Sequence, residues 1–387
     1  MRDELPVVSL FSGAGGLDLG VEMAGEPPLD QDGSPGPYRI ALATDHEAAA
    51  LRTLRANVPG VTTACGDIRS LSSEELMERA GLRPGDPGLV VGGPPCTPFS
   101  KSGFWLAEKR ESRDPNASLL DEFVRVVRDL QPEGFVLENV QALTYGTHKA
   151  QFARLLQGFA ESGYSVGWKV LIAADYGVPQ LRRRVFVVGR RDGGPITLPS
   201  PTHSGWSERD RSVDPRLQPY VSSRQAIGDL LPGDAETDEV VSGRWGELAA
   251  EIPPGKNYLW HTERGGGRDQ WKWRSRYWTF LLRLDPDRPA TTIQAQPGPW
   301  VGPFHWENVR TDSGLRARRL RTAEMLRLFS YPSWYIPDDD RRRAQLQIGN
   351  SVPVELGKAV IRHLAELLGH LEPSEDRPVQ QSLLEAA

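Results

Sequence analysis

Val7-Val8-Ser9-Leu10-Phe11-Ser12-Gly13-Ala14-Gly15-Gly16-Leu17-Asp18 is the stretch on which the fold turns. Val7–Phe11 is a short apolar run that breaks at the small residues Ser12–Gly16, and Leu17–Ala24 resumes with helical character. A strand that ends in glycines and hands over to a helix lets backbone approach a ligand closely and leaves free N–H groups at the helix start. The spacing is not the dinucleotide pattern, because Gly13-Ala14-Gly15 runs on into Leu17-Asp18, which argues against a nicotinamide oxidoreductase.

Reading outward, strands alternate with helices through the first 190 residues. Tyr38–Ala43, Val61–Cys65, Leu89–Val91, Phe135–Leu137 and Val185–Val188 read as strands. Glu47–Asn57, Glu74–Ala80, Leu119–Leu130 and Gln151–Ser162 read as helices, the third with apolar residues at 119, 120, 123, 124, 126, 127 and 130. Glu26–Pro37 is an excursion rich in Pro, Gly and Asp. This alternation predicts the α/β class, a doubly wound, mostly parallel sheet whose ligands gather outside the carboxyl ends of its strands. From Asp192 to Leu284 the periodicity fades into Gly, Pro, Ser, Trp and Arg, which predicts a second, smaller, irregular domain over 191–284. Helical pattern returns at Thr322–Leu328 and Val354–Leu368, so 1–190 and 285–371 are expected to form one domain, with 372–387 a polar tail.

Composition narrows the function classes. Of 387 residues, 39% are hydrophobic and 25% charged, the balance of a folded globular chain. No apolar run approaches the ~18–20 residues of a membrane span, and the opening residues lack a signal peptide's apolar region. Two cysteines, Cys65 and Cys96, exclude a disulfide scaffold and fit a reducing cytoplasm. The formal net charge is −5, so a nucleic-acid partner must be met by a local basic face.

The polar clusters that follow the strands carry the chemistry. Asp45, 32 residues after Gly13, could accept hydrogen bonds from ribose, and Asp67 could meet an adenine amino group; a helix N-cap is the alternative for either. Gly92-Gly93-Pro94-Pro95-Cys96 holds a cysteine beyond a strand end on a stiffened backbone, the placement of a nucleophile. Cys65, inside its strand, reads as a small buried hydrophobe. Glu138 follows Phe135-Val136-Leu137, where desolvation can keep a carboxyl group protonated. In Gln180-Leu181-Arg182-Arg183-Arg184, Arg182 and Arg184 alternate, so both should project from one face with directed donors.

Taken in order, Phe11–Gly16, Gly92–Cys96, Glu138-Asn139-Val140, Gln180-x-Arg182-x-Arg184 and Gln347-Ile348-Gly349-Asn350-Ser351-Val352-Pro353 closely resemble the DNA (cytosine-5) methyltransferases of bacterial restriction–modification and defence systems. The resemblance runs from about Val8 to Gly357. It implies a Rossmann-like methyltransferase domain and a variable target-recognition domain between Arg184 and Arg288-Pro289-Ala290-Thr291-Thr292, where the irregular region falls. It also implies S-adenosylmethionine as cofactor, no metal, and addition of Cys96 to C6 of a flipped-out cytosine held by Glu138. Arg184 would hold the base carbonyl and Arg182 would support the loop. Phe11 would stack on adenine, Gly13, Gly15 and Gly16 would line the cofactor loop, and Asp45 would take the ribose. Asp67 with Ile68 would read adenine, while Pro95, Leu119, Asn350 and Val352 would complete the pocket. The implied partners are double-stranded DNA and a cognate restriction endonuclease or defence-system proteins, with the enzyme itself a monomer. Thr97 and His46 depart from the residues common in the family, but no catalytic group is missing.

Two stretches suit a nucleic acid. Thr97–Asn116 interleaves Lys101, Lys109, Arg110 and Arg113 with Phe99, Phe104 and Trp105, where the family has a mobile loop over the base. Lys256–Arg288 holds eight basic and four acidic residues with Trp260, Trp271, Trp273 and Trp278, and Arg310–Arg321 adds five basic against one acidic. Whether the tryptophans at 271, 273 and 278 form core or contact bases is open from sequence. A tRNA substrate is the alternative, disfavoured because that branch of the family has a shorter recognition region than the ~95 residues present. A non-catalytic DNA-binding module would be expected to lose Cys96 or Glu138, and both are present.

Overall fold

The structure is a computed structural model and describes residues 4–25, 36–95, 118–205, 213–230, 239–312 and 314–373. Cys96, the basic and aromatic Thr97–Asn116 stretch, most of the 26–37 excursion and the tail beyond 373 lie outside the described residues. The chain divides into two compact units: Met1–Ile172 with Arg183–Pro201 and Ser351–Ala387, and Ala173–Arg182 with Thr202–Asn350. This division by packing is a different partition from the functional one expected from sequence, since 285–350 packs in the second unit.

The first unit is built on β1 (Leu5–Leu10), β2 (Tyr38–Asp45), β3 (Thr62–Cys65), β4 (Leu89–Gly92), β5 (Gly134–Val140), β6 (Ser165–Ile172) and β8 (Arg183–Arg190); β7 (Gln180–Leu181) belongs to the second unit. Among the described residues these seven strands form one sheet in the order β3-β2-β1-β4-β5-β8-β6. The first five are parallel to one another, while β8 runs antiparallel between β5 and β6. The expected doubly wound, mostly parallel sheet is present, and its strand order reverses between β1 and β4. A crevice at that reversal is where such sheets bind ligands.

The helices of this unit are α1 (Gly16–Glu22), α2 (Ala48–Asn57), α3 (Ser73–Ala80), α4 (Ser118–Leu130), α5 (Lys149–Glu161) and, from the far end of the chain, α10 (Val354–Leu367). In α4 the buried Leu120, Phe123, Val126, Val127 and Leu130 share one stripe at helical spacing. The helix stops where Gln131 takes a left-handed φ of 50° and Pro132 removes the next donor. That stripe meets the sheet at Phe135, whose ring stacks on Phe159 at 4.1 Å between centroids and meets Phe123 edge-on at 6.4 Å. Truncating one such fully buried ring costs about 3–5 kcal/mol. α1 packs instead on α10, where Gly20 is required: a Cβ there would lie 2.7 Å from the backbone nitrogen of Lys358.

The sequence reading gives no element to one strand, and one sequence expectation changes. β6 is the edge strand, with Trp168 exposed and mostly half-buried neighbours, so it lacks the apolar run of a central strand. Cys65 is not a buried hydrophobe. It closes β3 with an exposed thiol, 3.7 Å from the His46 carbonyl.

The second unit holds α6 (Ser223–Ile227), α7 (Gly243–Glu251), α8 (Thr322–Leu328), α9 (Arg341–Asn350) and the short strands β9 (His203–Ser204), β10 (Gln218–Pro219), β11 (Ala290–Thr291), β12 (Asn308–Thr311) and β13 (Gly314–Ala317). A small core gathers Val241, Leu248, Ile252, Tyr258, Phe280, Leu281 and Phe304, with Trp245 and Trp271 packed against it. Trp245 and Trp271 stack at 5.6 Å and 14°. Buried arginines do much of the remaining joining. Arg283 donates to the carbonyls of Ala249, His305 and Trp306 at 2.7–2.8 Å, and Arg318 grips Glu324 with both terminal nitrogens at 2.7 and 2.9 Å. These desolvated cations hold the His305 imidazole far below its ordinary range, at about 2, with burial the largest cause.

Candidate active site

The glycine loop leaves the carboxyl end of β1 at the centre of the sheet. Phe11, Gly13 and Gly15 all take left-handed backbone, with φ of 56°, 55° and 91°. For Phe11 this is a conformation that side chains rarely adopt, and such residues gather at ligand sites. The loop is pinned from β2: Ser12 donates its N–H to the Thr44 carbonyl at 2.9 Å and Gly13 to Oδ2 of Asp45 at 2.8 Å. Oδ1 of Asp45 accepts the Glu47 N–H at 2.9 Å, so one carboxylate ties the loop to the start of α2. A Cβ at Gly13 would meet nothing within 4 Å, which leaves open space over the loop, whereas one at Gly15 would strike Leu54 at 2.5 Å. Phe11 packs its ring on the core of this unit, and Gly16 begins α1.

Beneath the loop lies a group that sequence reading passed over. Asp18 is fully buried in α1, and neither carboxyl oxygen has a protein partner by strict hydrogen-bond geometry, although the Ser9 hydroxyl lies beside it. Ser9 in turn accepts from the Ser12 hydroxyl at 2.8 Å. Burial, reinforced by Glu22 and Asp45, raises this carboxyl to about 7. The signal was a charged residue inside a run of Gly, Leu and Val.

At the end of β3, Asp67 takes the helix-cap position. Its Oδ1 accepts the Arg69 N–H at 3.0 Å, and the Arg69 guanidinium grips both oxygens, which holds the exposed carboxylate low, at about 2. Ile68 follows it and is buried. Leu119 is buried in α4, Pro95 is half-buried after β4, and Val352 is buried before α10. Asn350 ends α9 in the second unit and is exposed.

The second focus lies where β4 and β5 end and β8 begins. Because β8 is antiparallel to β5, its first residues return to the carboxyl edge of the sheet, with Arg184 opposite Val140. Nε of Arg184 stands 2.8 Å from Oε1 of Glu138, and both side chains are nearly sealed from water. Gly93 presses on the same carboxyl group: a Cβ there would lie 3.0 Å from Oε2. Asn139 donates from Nδ2 to the Pro94 carbonyl at 3.1 Å and so fixes the backbone that leads into Cys96. Cys96 itself is outside the described residues.

Arg182 does not share this setting. It belongs to the second unit, fully buried, donating to the carbonyls of Ile293 at 3.2 Å and Gly349 at 2.8 Å, with its guanidinium 5.1 Å from the Phe329 ring centre. Gln180 does similar work, donating to the Leu328 carbonyl at 3.1 Å and accepting the Ile293 N–H at 3.2 Å.

The glycine loop, the stiffened Pro94-Pro95 exit and the Glu138–Arg184 pair thus stand on neighbouring strand ends of one sheet. The family model for C-5 cytosine-specific DNA methylases matches residues 5–366. Type II methyltransferase M.SacI of Streptomyces achromogenes is 63% identical over 373 residues, covering 96% of this chain and 95% of that protein. Type II methyltransferase M1.HphI of Haemophilus parahaemolyticus is 31% identical over 359 residues, covering 92% and 85%. Among solved structures, the S. pombe Dnmt2 methyltransferase superposes with a TM-score of 0.61 at 18% identity, covering 95% of this chain and 99% of that one, a likeness of fold. A family model spanning nearly the whole chain, together with these relatives, establishes that the protein belongs to the C-5 cytosine-specific DNA methylase family and is a DNA cytosine-5 methyltransferase.

Proposed function

We propose that this protein methylates C5 of a flipped-out cytosine at one duplex DNA sequence, through a covalent bond between Cys96 and C6, as the modification enzyme of a type II restriction–modification pair. The observation that carries the reading is the Glu138–Arg184 pair at 2.8 Å, on the strand next to the one that ends in Pro94-Pro95, which Cys96 follows in sequence. The type II designation of the relatives supports the pairing with a restriction endonuclease.

Cytosine C5 is a poor nucleophile until its ring loses aromaticity. Attack of the Cys96 thiolate at C6 pushes electrons toward N3, where Glu138 supplies the hydrogen bond that stabilises them. Arg184 orients Glu138 and offers its remaining N–H groups to the base carbonyl. Once C5 carries the methyl group it is a saturated carbon, and removal of its proton lets the Cys96 sulfur leave C6 and restores the aromatic ring. Extruding the base from the duplex costs a few kcal/mol.

The first unit fits S-adenosylmethionine: the left-handed glycine loop leaves open space above Gly13, and Asp45 sits at its rim. Phe11, Gly13, Gly15, Gly16, Asp45, Ile68, Pro95, Leu119 and Val352 of this unit would hold it. Asp67 would join them by sharing a carboxylate now bound to Arg69. When bound, this cofactor supplies an electrophilic methyl group on a sulfonium. Incubation with tritiated S-adenosylmethionine and either duplex DNA or tRNA tests the reading. Label in duplex DNA supports it, and label in tRNA alone overturns it.

A further inference from the structure

We propose that Arg274, Arg276, Tyr277 and Trp278 form the surface with which the second unit grips and reads duplex DNA. The proposal rests on the reading of the protein as a duplex-DNA methyltransferase, and it separates the tryptophans that sequence leaves undivided. Trp271 belongs to the core, stacked on Trp245 and edge-on to Tyr258 and Phe280. Trp273 is a platform, half-buried, with the guanidinium of Arg264 4.7 Å from its ring centre and that of Arg274 at 6.0 Å. Trp278 and its neighbour Tyr277 are each 54% exposed.

What distinguishes this strip from an ordinary solvated loop is how its backbone is held. The buried Tyr258 hydroxyl donates to the Arg276 carbonyl at 2.8 Å and accepts the Arg276 N–H at 3.2 Å. The buried Asn257 amide donates to the Trp278 carbonyl at 2.7 Å, and Phe280 anchors the end of the strip in the core. Arg274 sits in left-handed backbone at φ 58°, two residues before the anchored Arg276. Rigid main chain below and exposed cationic and aromatic side chains above are what recognition from a scaffold requires.

The charges are also left open for a partner. Several exposed arginines of the second unit pair with carboxylates, as Arg268 does with Glu251, Arg224 with Asp287 and Arg327 with Asp229. Among the described residues no ion pair is found for Lys272, Arg274 or Arg276; Arg274 and Arg276 lie over aromatic rings instead. From 272 to 278 the sequence carries no acidic residue. Cations without counter-charges beside exposed aromatic rings suit a polyanion that also offers base edges and stacking faces.

The test begins by expressing the wild-type protein in a host that lacks cytosine-5 methylation and mapping the methylated motif. Duplexes carrying that motif, and single-mismatch versions, are then titrated against wild type, Arg274→Gln/Arg276→Gln, Tyr277→Ala/Trp278→Ala and the control Arg79→Gln on α3. Loss of two phosphate contacts should lower the slope of log affinity against log salt by about 2. The aromatic variant should lose about tenfold in discrimination between cognate and mismatched duplexes, and the control should match wild type. Arginine and aromatic variants that keep wild-type affinity, salt slope and discrimination overturn the proposal while leaving the enzyme's function intact. A wild-type protein that binds no duplex overturns both.

Discussion

Arg184 and Glu138 meet diagonally across an antiparallel strand pair, Nε to Oε1 at 2.8 Å, in a sheet that is otherwise parallel through its first five strands. The antiparallel return of β8 is what makes the contact, because it delivers the start of one strand to the end of another. Replacing Arg184 with alanine should lower kcat by ~10²-fold or more through loss of orientation, and Glu138→Gln by ~10²–10⁴-fold through loss of the acid. Steady-state kinetics on mapped duplex substrate check both. A change confined to KM would place the pair in binding alone.

Gly93 supplies an independent probe of the same carboxyl group. A methyl group at this position would approach Oε2 of Glu138 to 3.0 Å, and Arg184 restrains the carboxyl from yielding. Gly93→Ala should therefore reduce kcat about tenfold while the melting temperature moves little, since a misplacement of under 1 Å at reacting groups can be that costly. Unchanged turnover would show that the carboxyl has room to shift.

Gly13 separates cofactor binding from folding. Alanine there meets no protein atom but must adopt φ 55°, which costs about 1 kcal/mol or somewhat more. Calorimetric titration of Gly13→Ala with S-adenosylmethionine should show at least tenfold weaker binding, because the added methyl occupies the open space over the loop. Unaltered affinity would move the cofactor away from this loop.

Asp18 makes stability depend on pH. Burial pushes its folded carboxyl up to about 7, above the ordinary value of 3.8 that holds in the unfolded chain, so the folded state keeps a proton that the unfolded state has lost. The associated stability is complete below about pH 4 and is lost as pH rises through 7, by up to roughly 4 kcal/mol. Asp18→Asn should flatten the fall in urea midpoint between pH 5 and 8 and stabilise the protein at the upper end. Parallel curves for variant and wild type would contradict the assignment.

Arg318 and Glu324 form a buried pair in the second unit, each about 1% exposed, with Arg283 and a neutral His305 nearby. Glu324→Gln would leave buried positive charge without its counter-charge and should cost about 3–5 kcal/mol in that unit. Chemical unfolding followed by tryptophan fluorescence checks this.

The apolar periodicity of β1, β2, β4 and α4 made the sheet legible in the sequence, because central strands and an amphipathic helix carry their burial in their residue order. β6 escaped because an edge strand needs no such run, and α9 because Arg341-Arg342-Arg343-Ala344-Gln345 shows almost no apolar face. Glu138 and Asp45 were legible as carboxylates at strand ends. The partnership of Glu138 with Arg184 was not, since it depends on strand direction. Arg182 and Arg184 alternate in sequence, yet one serves buried carbonyls and the other a carboxylate. Asp18 was hidden because nothing local in a sequence says that a carboxylate lacks a partner.

The most direct measurement uses a duplex with 5-fluorocytosine at the mapped target, incubated with the protein and S-adenosylmethionine, then denatured and digested for mass spectrometry. Fluorine cannot leave as a proton does, so the account predicts a stable adduct on the peptide that contains Cys96, absent in Cys96→Ala. A normal methyl-transfer rate on ordinary cytosine with no adduct, or an adduct on another residue, would contradict it.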